Sequence, residues 1–155
     1  MELILFRHGK SEQSWEKRDR DRNLIQRGRD KTRQQAQVLQ HELEFNNADM
    51  PIKIISSPAN RAYETAEIIA EVLEIEEIHT REFIYFGSFD QLEDELYLIR
   101  DENPKTQIIL TGHQPTLSEW AYALSGLDID FKTASMLSLS EVEGKRLWQQ
   151  NWLHL

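Results

Sequence analysis

The sequence predicts an α/β fold: a three-layer sandwich with a mostly parallel central sheet, helices on both faces and a C-terminal hairpin. Three observations carry this. Short apolar runs alternate with helical patterns along the chain, which is the signature of a parallel sheet with crossover helices. Two of the runs, 3–6 and 108–110, have no polar member, as strands buried on both faces require. The last twenty residues alternate instead and turn at Glu143-Gly144.

Taken in order, ELILFR (2–7) reads as a buried strand stopped by His8-Gly9. Residues 8–24 are polar and irregular. A helix is expected from about Ile25 to Leu43, with Ala36, Leu39 and Leu43 at helical spacing and Gly28 weakening its first turn. PIKIISS (51–57) is a second strand; Ser57 as cap and Pro58 at the first helical position then open a helix reaching Leu73. EEIHT (76–80) is a short third strand, and 88–100 a helix with Leu92, Leu96 and Ile99 in register. QIILTG (107–112) is the fourth strand, followed by a helix over 115–126 ending at Gly126. SMLSLSEVEGKRLWQQNW (135–152) is the terminal hairpin. No repeat or linker divides the chain, so residues 1–155 are expected to form one domain.

Composition narrows the function. Net charge is −9, which disfavours nucleic acid as a partner because such binding needs a positive surface. No apolar run approaches the ~18 residues of a membrane span, and the N-terminus lacks a basic leader and an apolar core long enough for a signal peptide. There is no cysteine, so disulfide and thiol chemistry are excluded. A cytoplasmic protein is the expectation. Residues 17–33 hold eight of the eighteen Lys and Arg, interleaved with Asp19, Asp21 and Asp30. They form either a solvated mixed-charge segment or a basic rim for a phosphorylated partner. No exposed apolar helix face demands a second copy, so a monomer is expected. Trp15, Trp120, Trp148 and Trp152 are expected in the core.

In open α/β sheets ligands bind at the carboxyl ends of the strands. Those ends carry Arg7-His8-Gly9, Ser56-Ser57-Pro58 with Arg61 in the next helix turn, and Gly112-His113. Two guanidiniums suit the oxygens of a phosphoryl group, and helix starts near Pro58 and Pro115 add partial positive charge. A neutral imidazole can attack phosphorus, and a second can stabilise the charge that develops. His8 would need its other ring nitrogen bonded, as to a backbone carbonyl, and Gly9 would let the backbone approach the phosphate. Metal binding fits poorly: no closely spaced ligand pair is present, and two arginines would repel a cation. No cofactor is expected. The imidazoles of His8 and His113 should then lie within about a dozen ångströms of each other.

Three stretches, LFRHGKSE (5–12), SSPANRAYETA (56–66) and TGHQPTL (111–117), resemble in order the histidine phosphatase (phosphoglycerate mutase-like) superfamily. The resemblance implies His8 as nucleophile, with Arg7, Arg61 and His113 binding the phosphate. RNLIQRGRD (22–30) is similar to the Arg-Pro-Leu-Thr-x-x-Gly segment of the SixA-type phosphohistidine phosphatases, with Asn23 in place of the Pro. The tail FKTASMLSLS (131–140) resembles that branch's terminal strand. Arg22 is accordingly a further phosphate or substrate contact, and Glu82, in REFIYFG (81–87), is the position comparable to the wider family's general acid. The implied activity is metal-independent phosphatase chemistry through a phosphohistidine intermediate. Its implied partner is a phosphorylated protein, such as a phosphohistidine-bearing signalling protein. Short connections around the site favour a protein substrate over a small one. A small-molecule phosphomonoesterase, a mutase-like enzyme and a non-catalytic phosphate-binding module stay open as alternatives.

Overall fold

A computed structural model describes the backbone of all 155 residues and every side chain except that of Asn47. The elements follow the order β1 (Glu2–Arg7), α1 (Gln26–Asn47), β2 (Ile52–Ser56), α2 (Asn60–Leu73), β3 (Ile78–Thr80), α3 (Glu82–Phe86), α4 (Phe89–Glu102), β4 (Gln107–Gly112), α5 (Thr116–Ser125), β5 (Met136–Glu141) and β6 (Trp148–His154). One sheet contains all six strands in the order β3-β2-β4-β1-β5-β6. β3, β2, β4 and β1 run parallel, and β5 and β6 add as an antiparallel hairpin on the β1 side. The expected α/β architecture is therefore present, with the two strands that carry the all-apolar runs, β1 and β4, side by side at the sheet centre.

Alternation along β1 splits the core. Leu3 and Leu5 face one side, with Ile108, Leu110, Leu92, Leu96, Leu117 and Trp120. Ile4 and Phe6 face the other, with Ile109, Ala36, Leu39, Ala66 and Ile69. Thus α3, α4 and α5 cover one face and α1 and α2 the other. This is why β1 needs an apolar residue at every position from 3 to 6, all of them fully buried. Of the tryptophans, Trp120 and Trp148 are buried as expected, whereas Trp15 is fully exposed on the 8–24 segment.

One local expectation needs correction. The α2 helix starts at Asn60 with Ala59 as its cap, so Pro58 is not its first helical residue. The Ser57 hydroxyl accepts from the Ala59 amide at 3.3 Å but also bonds His113 at 2.7 Å, which draws it away from a helix cap and toward the strand ends. Gly9, for its part, is needed for contact with a helix. A Cβ at Gly9 would lie 2.5 Å from Thr32 Oγ1 and 2.8 Å from the Gly28 carbonyl oxygen. A Cβ at Gly28 would fall 2.1 Å from the Lys10 carbonyl oxygen. The two glycines let the first turns of α1 lie directly against the loop after β1. Ile25 N–H donates to the Lys10 carbonyl at 3.0 Å and Gly9 N–H to Thr65 Oγ1 at 3.1 Å, pinning that loop between α1 and α2.

Gly28→Ala is expected to lower stability by about 1–3 kcal/mol, the usual cost of forcing an extra carbon into packed structure. Urea unfolding measures it, and an unchanged midpoint would contradict the close packing. Helix propensity alone would change stability in the opposite direction, since Ala is favoured over Gly by about 1 kcal/mol in a helix.

Candidate active site

The loops after β1 and β4 and the start of α2 converge on one cleft of about 710 Å³. Its wall includes Arg7, His8, Lys10, Asp19, Arg22, Arg61, Tyr85, His113, and Pro115 with Thr116 at the start of α5. Parallel register explains the meeting: Arg7 pairs with Gly112 across β1 and β4, so His8 and His113 leave adjacent strands at the same level. Their ring centroids are 5.3 Å apart, well inside the expected limit. The structure brings together Arg7, His8, Arg22, Arg61 and His113.

His8 is 8% exposed. Its Nδ1 lies 2.6 Å from the Gly9 carbonyl oxygen. A carbonyl can only accept, so Nδ1 carries the proton and Nε2 keeps its lone pair. Burial, with the nearby charges of Arg61, Arg7 and Arg22, pushes the His8 pKa down to about 4 against the opposing pull of the Gly9 bond. Burial and the neighbouring His8 and Arg61 push that of His113 to about 3. Both rings are neutral at pH 7. His113 is held by Ser57 Oγ through Nε2, and its Nδ1 is buried without a protein partner.

The arginines are fixed by the backbone and by a carboxylate. Arg7 Nη1 donates to the Phe131 carbonyl at 2.7 Å, and Ala134 N–H donates to the Arg7 and His8 carbonyls at 3.1 Å each. The lead-in to β5 thus shapes the loop after β1. Arg61 Nη1 donates to the Asp19 carbonyl at 2.7 Å and Nη2 to Asp19 Oδ2 at 3.0 Å. Arg22 Nη2 donates to Asp19 Oδ1 at 3.0 Å, and Nη1 to the Glu12 carbonyl at 3.2 Å. Burial lowers the pKa of Arg7, but a guanidinium stays charged at neutral pH. The Nε atoms of Arg7 and Arg61 are buried and have no partner in the protein.

Glu82 is not brought into this ring. Its carboxylate accepts from Arg20 Nη2 at 3.0 and 3.1 Å outside the cleft wall and is largely exposed. Arg20 also stacks 4.9 Å over the Tyr85 ring. Two wall residues escaped the sequence reading. Tyr85 packs edge-on to His113 at 5.7 Å and donates to Asp19 Oδ2 at 2.8 Å. Asp19 carried a usable signal, its three-residue spacing from Arg22. Most of the basic rim is internally neutralised: Lys17 pairs with Glu12, Arg18 with Asp21, Arg20 with Glu82, Arg29 with Glu64 and Arg33 with Glu71. The solvated mixed-charge alternative describes it better.

The match to the histidine phosphatase superfamily (branch 1) covers residues 3–104. The chain belongs to that superfamily. An uncharacterized protein of Picosynechococcus sp. (strain ATCC 27264 / PCC 7002 / PR-6) is 32% identical over 149 residues, spanning 90% of this chain and 84% of the relative. The fold of this histidine phosphatase superfamily member matches the protein histidine phosphatase SixA complexed with tungstate, with a TM-score of 0.83 at 20% identity over 99% of this chain and 96% of SixA. It also matches a mycobacterial glucosyl-3-phosphoglycerate phosphatase, with a TM-score of 0.71 at 16% identity over 97% and 96% of the two chains. The expected likeness to SixA holds at the level of the fold. No helix among the described residues is long and apolar enough to cross a membrane.

Neutral buried histidines are expected to make the superfamily member lose stability in acid. Unfolded histidine takes up a proton near pH 6.5, whereas folded His8 does so near 4 and His113 near 3. Between these values the unfolded chain binds more protons, so stability is intact above about pH 6.5 and falls as pH drops toward 4 and then 3. At pH 5 each ring is expected to cost about 2 kcal/mol. Urea midpoints at pH 7 and pH 5 measure the loss, and His8→Asn, which cannot titrate, should reduce it. An equal loss in that variant would contradict the assignment.

Proposed function

We propose that this chain is a metal-independent phosphatase working through a phosphorylated His8, and that its substrate is a phosphohistidine side chain of a partner protein. Superfamily membership and the SixA fold support phosphatase chemistry. Tungstate bound to SixA is a tetrahedral oxyanion of the kind these donors suit.

In the first step His8 Nε2 attacks phosphorus in line. The substrate's phosphorus–nitrogen bond breaks, and its imidazole, protonated at the distal nitrogen, leaves neutral. Arg7, Arg22 and Arg61, with His113, hold the phosphoryl oxygens as charge spreads over them. Water then attacks phospho-His8, releasing phosphate and the neutral ring. The arginines supply the charge neutralisation that a metal gives in other phosphatases.

The observation that carries the substrate assignment is the lack of an ionisable acid poised to donate. Asp19 is the one carboxylate of the cleft wall among the described residues. Burial opposes its ionisation, but the Tyr85 and Arg61 hydrogen bonds and the Arg61 and Arg22 charges outweigh burial and hold its pKa at about 2. It has no proton to give at pH 7. Glu82 stands outside with Arg20. An alkoxide leaving group needs a proton delivered to the departing oxygen, whereas a phosphohistidine ring that has taken a proton from solvent on its distal nitrogen leaves neutral with no enzyme acid at the departing atom. Turnover of a phosphohistidine-bearing protein should therefore exceed that of alkyl phosphate esters by about 10²-fold or more in kcat/KM, the usual contribution of a general acid. Faster hydrolysis of the esters would overturn the assignment in favour of a small-molecule phosphomonoesterase.

A further inference from the structure

Every ionised side chain of the cleft wall is a cation (Arg7, Lys10, Arg22 and Arg61) except Asp19. Most of the chain's twenty-seven acids serve elsewhere, so a carboxylate here calls for a reason. It is firmly placed. Its backbone and side-chain oxygens accept five hydrogen bonds, two from the Arg61 side chain, one each from the Arg22 side chain and backbone N–H, and one from the Tyr85 hydroxyl, at 2.7 to 3.3 Å. It is also half exposed, at the mouth where the rest of a substrate must lie.

A guanidinium offers five N–H donors. Asp19 takes two from Arg61 and one from Arg22, and the Glu12 carbonyl takes one more from Arg22. Both residues line the cleft, so their remaining donors can serve a ligand there. Asp19 and a bound phosphoryl group can therefore share the same cations, with their charges about 6 Å apart across a guanidinium.

We propose that Asp19 is a specificity-determining residue that selects on charge. Its carboxylate offsets part of the cleft's positive field, so a bare phosphoryl dianion is accepted. A phosphorylated metabolite with a second anion beside its phosphate is disfavoured. The proposal rests on the phosphohistidine reading and deepens it, since a phosphohistidine side chain carries no second anion of its own. Two unit charges some 7–8 Å apart at a protein surface, screened by salt over a Debye length of about 8–10 Å, interact strongly enough to change affinity roughly five- to tenfold.

The test compares two ligands of similar shape, ethyl phosphate and phosphoglycolate, which differ by a carboxylate. Calorimetric Kd values are measured for the unmodified protein, Asp19→Asn, Asp19→Ser and Tyr85→Phe, each first checked for a native thermal unfolding transition. Both Asp19 variants should improve phosphoglycolate binding relative to ethyl phosphate roughly five- to tenfold. Tyr85→Phe, which removes a hydrogen bond but keeps the charge, should leave the ratio unchanged. A ratio within about twofold of the unmodified protein's in both Asp19 variants, or an equal weakening of both ligands, would overturn the proposal. So would a Tyr85→Phe shift matching that of Asp19→Asn, because it would assign the effect to positioning. The readout is binding alone, so it stands apart from the substrate assignment. That assignment fails separately if the unmodified protein does not hydrolyse a phosphohistidine peptide.

Discussion

His8→Asn is expected to abolish turnover, lowering kcat by about 10⁴-fold or more, as loss of a covalent nucleophile does. Asn is the informative replacement. Its amide can still donate to the Gly9 carbonyl, which His8 Nδ1 engages at 2.6 Å, while nothing remains where Nε2 presented its lone pair. The buried loop between α1 and α2 keeps its hydrogen bond, and the three arginines are untouched. Phosphate affinity should stay within about tenfold of the unmodified protein's. Loss of binding together with turnover would mean that His8 holds the site together and is not its nucleophile. Full activity would remove His8 from the mechanism.

Arg61→Ala is expected to lower kcat/KM by about 10³-fold, in the range seen when one transition-state donor is removed from a water-poor site. Arg61 is 7% exposed on its side chain and commits two donors to Asp19 while its Nε has no partner in the protein. Truncation would therefore remove the phosphoryl contact proposed for Arg61 and also free Asp19, whose pKa should rise from about 2 toward the ordinary carboxylate range. Arg61→Lys retains the charge but not the fork, so it should recover only part of the activity. Steady-state kinetics with a phosphohistidine peptide measures both variants. Near-complete rescue by Lys would show that charge alone matters at this position.

The strand-end residues were legible because the sheet centre is chemically simple. The centres of β1 and β4, residues 3–6 and 108–110, are wholly apolar, so Arg7-His8 and His113 stand out beyond those runs, and parallel pairing places them together. Arg61 was legible from its place one turn into the helix after β2. What the sequence did not reveal depends on contacts between distant residues. Residues 8–24 have no periodicity, yet they fold back on themselves: Glu12 N–H donates to the Asn23 carbonyl at 2.9 Å, and Ser11 bridges Leu24. That fold carries Asp19 to Arg61, forty-two positions away, and to Tyr85. The crowding of Gly9 against α1 was hidden for the same reason, since it depends on residues nineteen or more positions away. Glu82 sits one turn from Tyr85 on α3, but its carboxylate goes to Arg20 on the rim.

Rapid-quench mixing with a phosphohistidine peptide labelled on phosphorus, followed by peptide mapping, is the most direct measurement. A labelled enzyme peptide carrying the phosphoryl group on residue 8, stable in alkali and lost in acid as a phosphorus–nitrogen bond requires, is the predicted result. Label on Ser57 that survives acid, or product release at full rate with no labelled enzyme at any time, would contradict attack by the His8 ring.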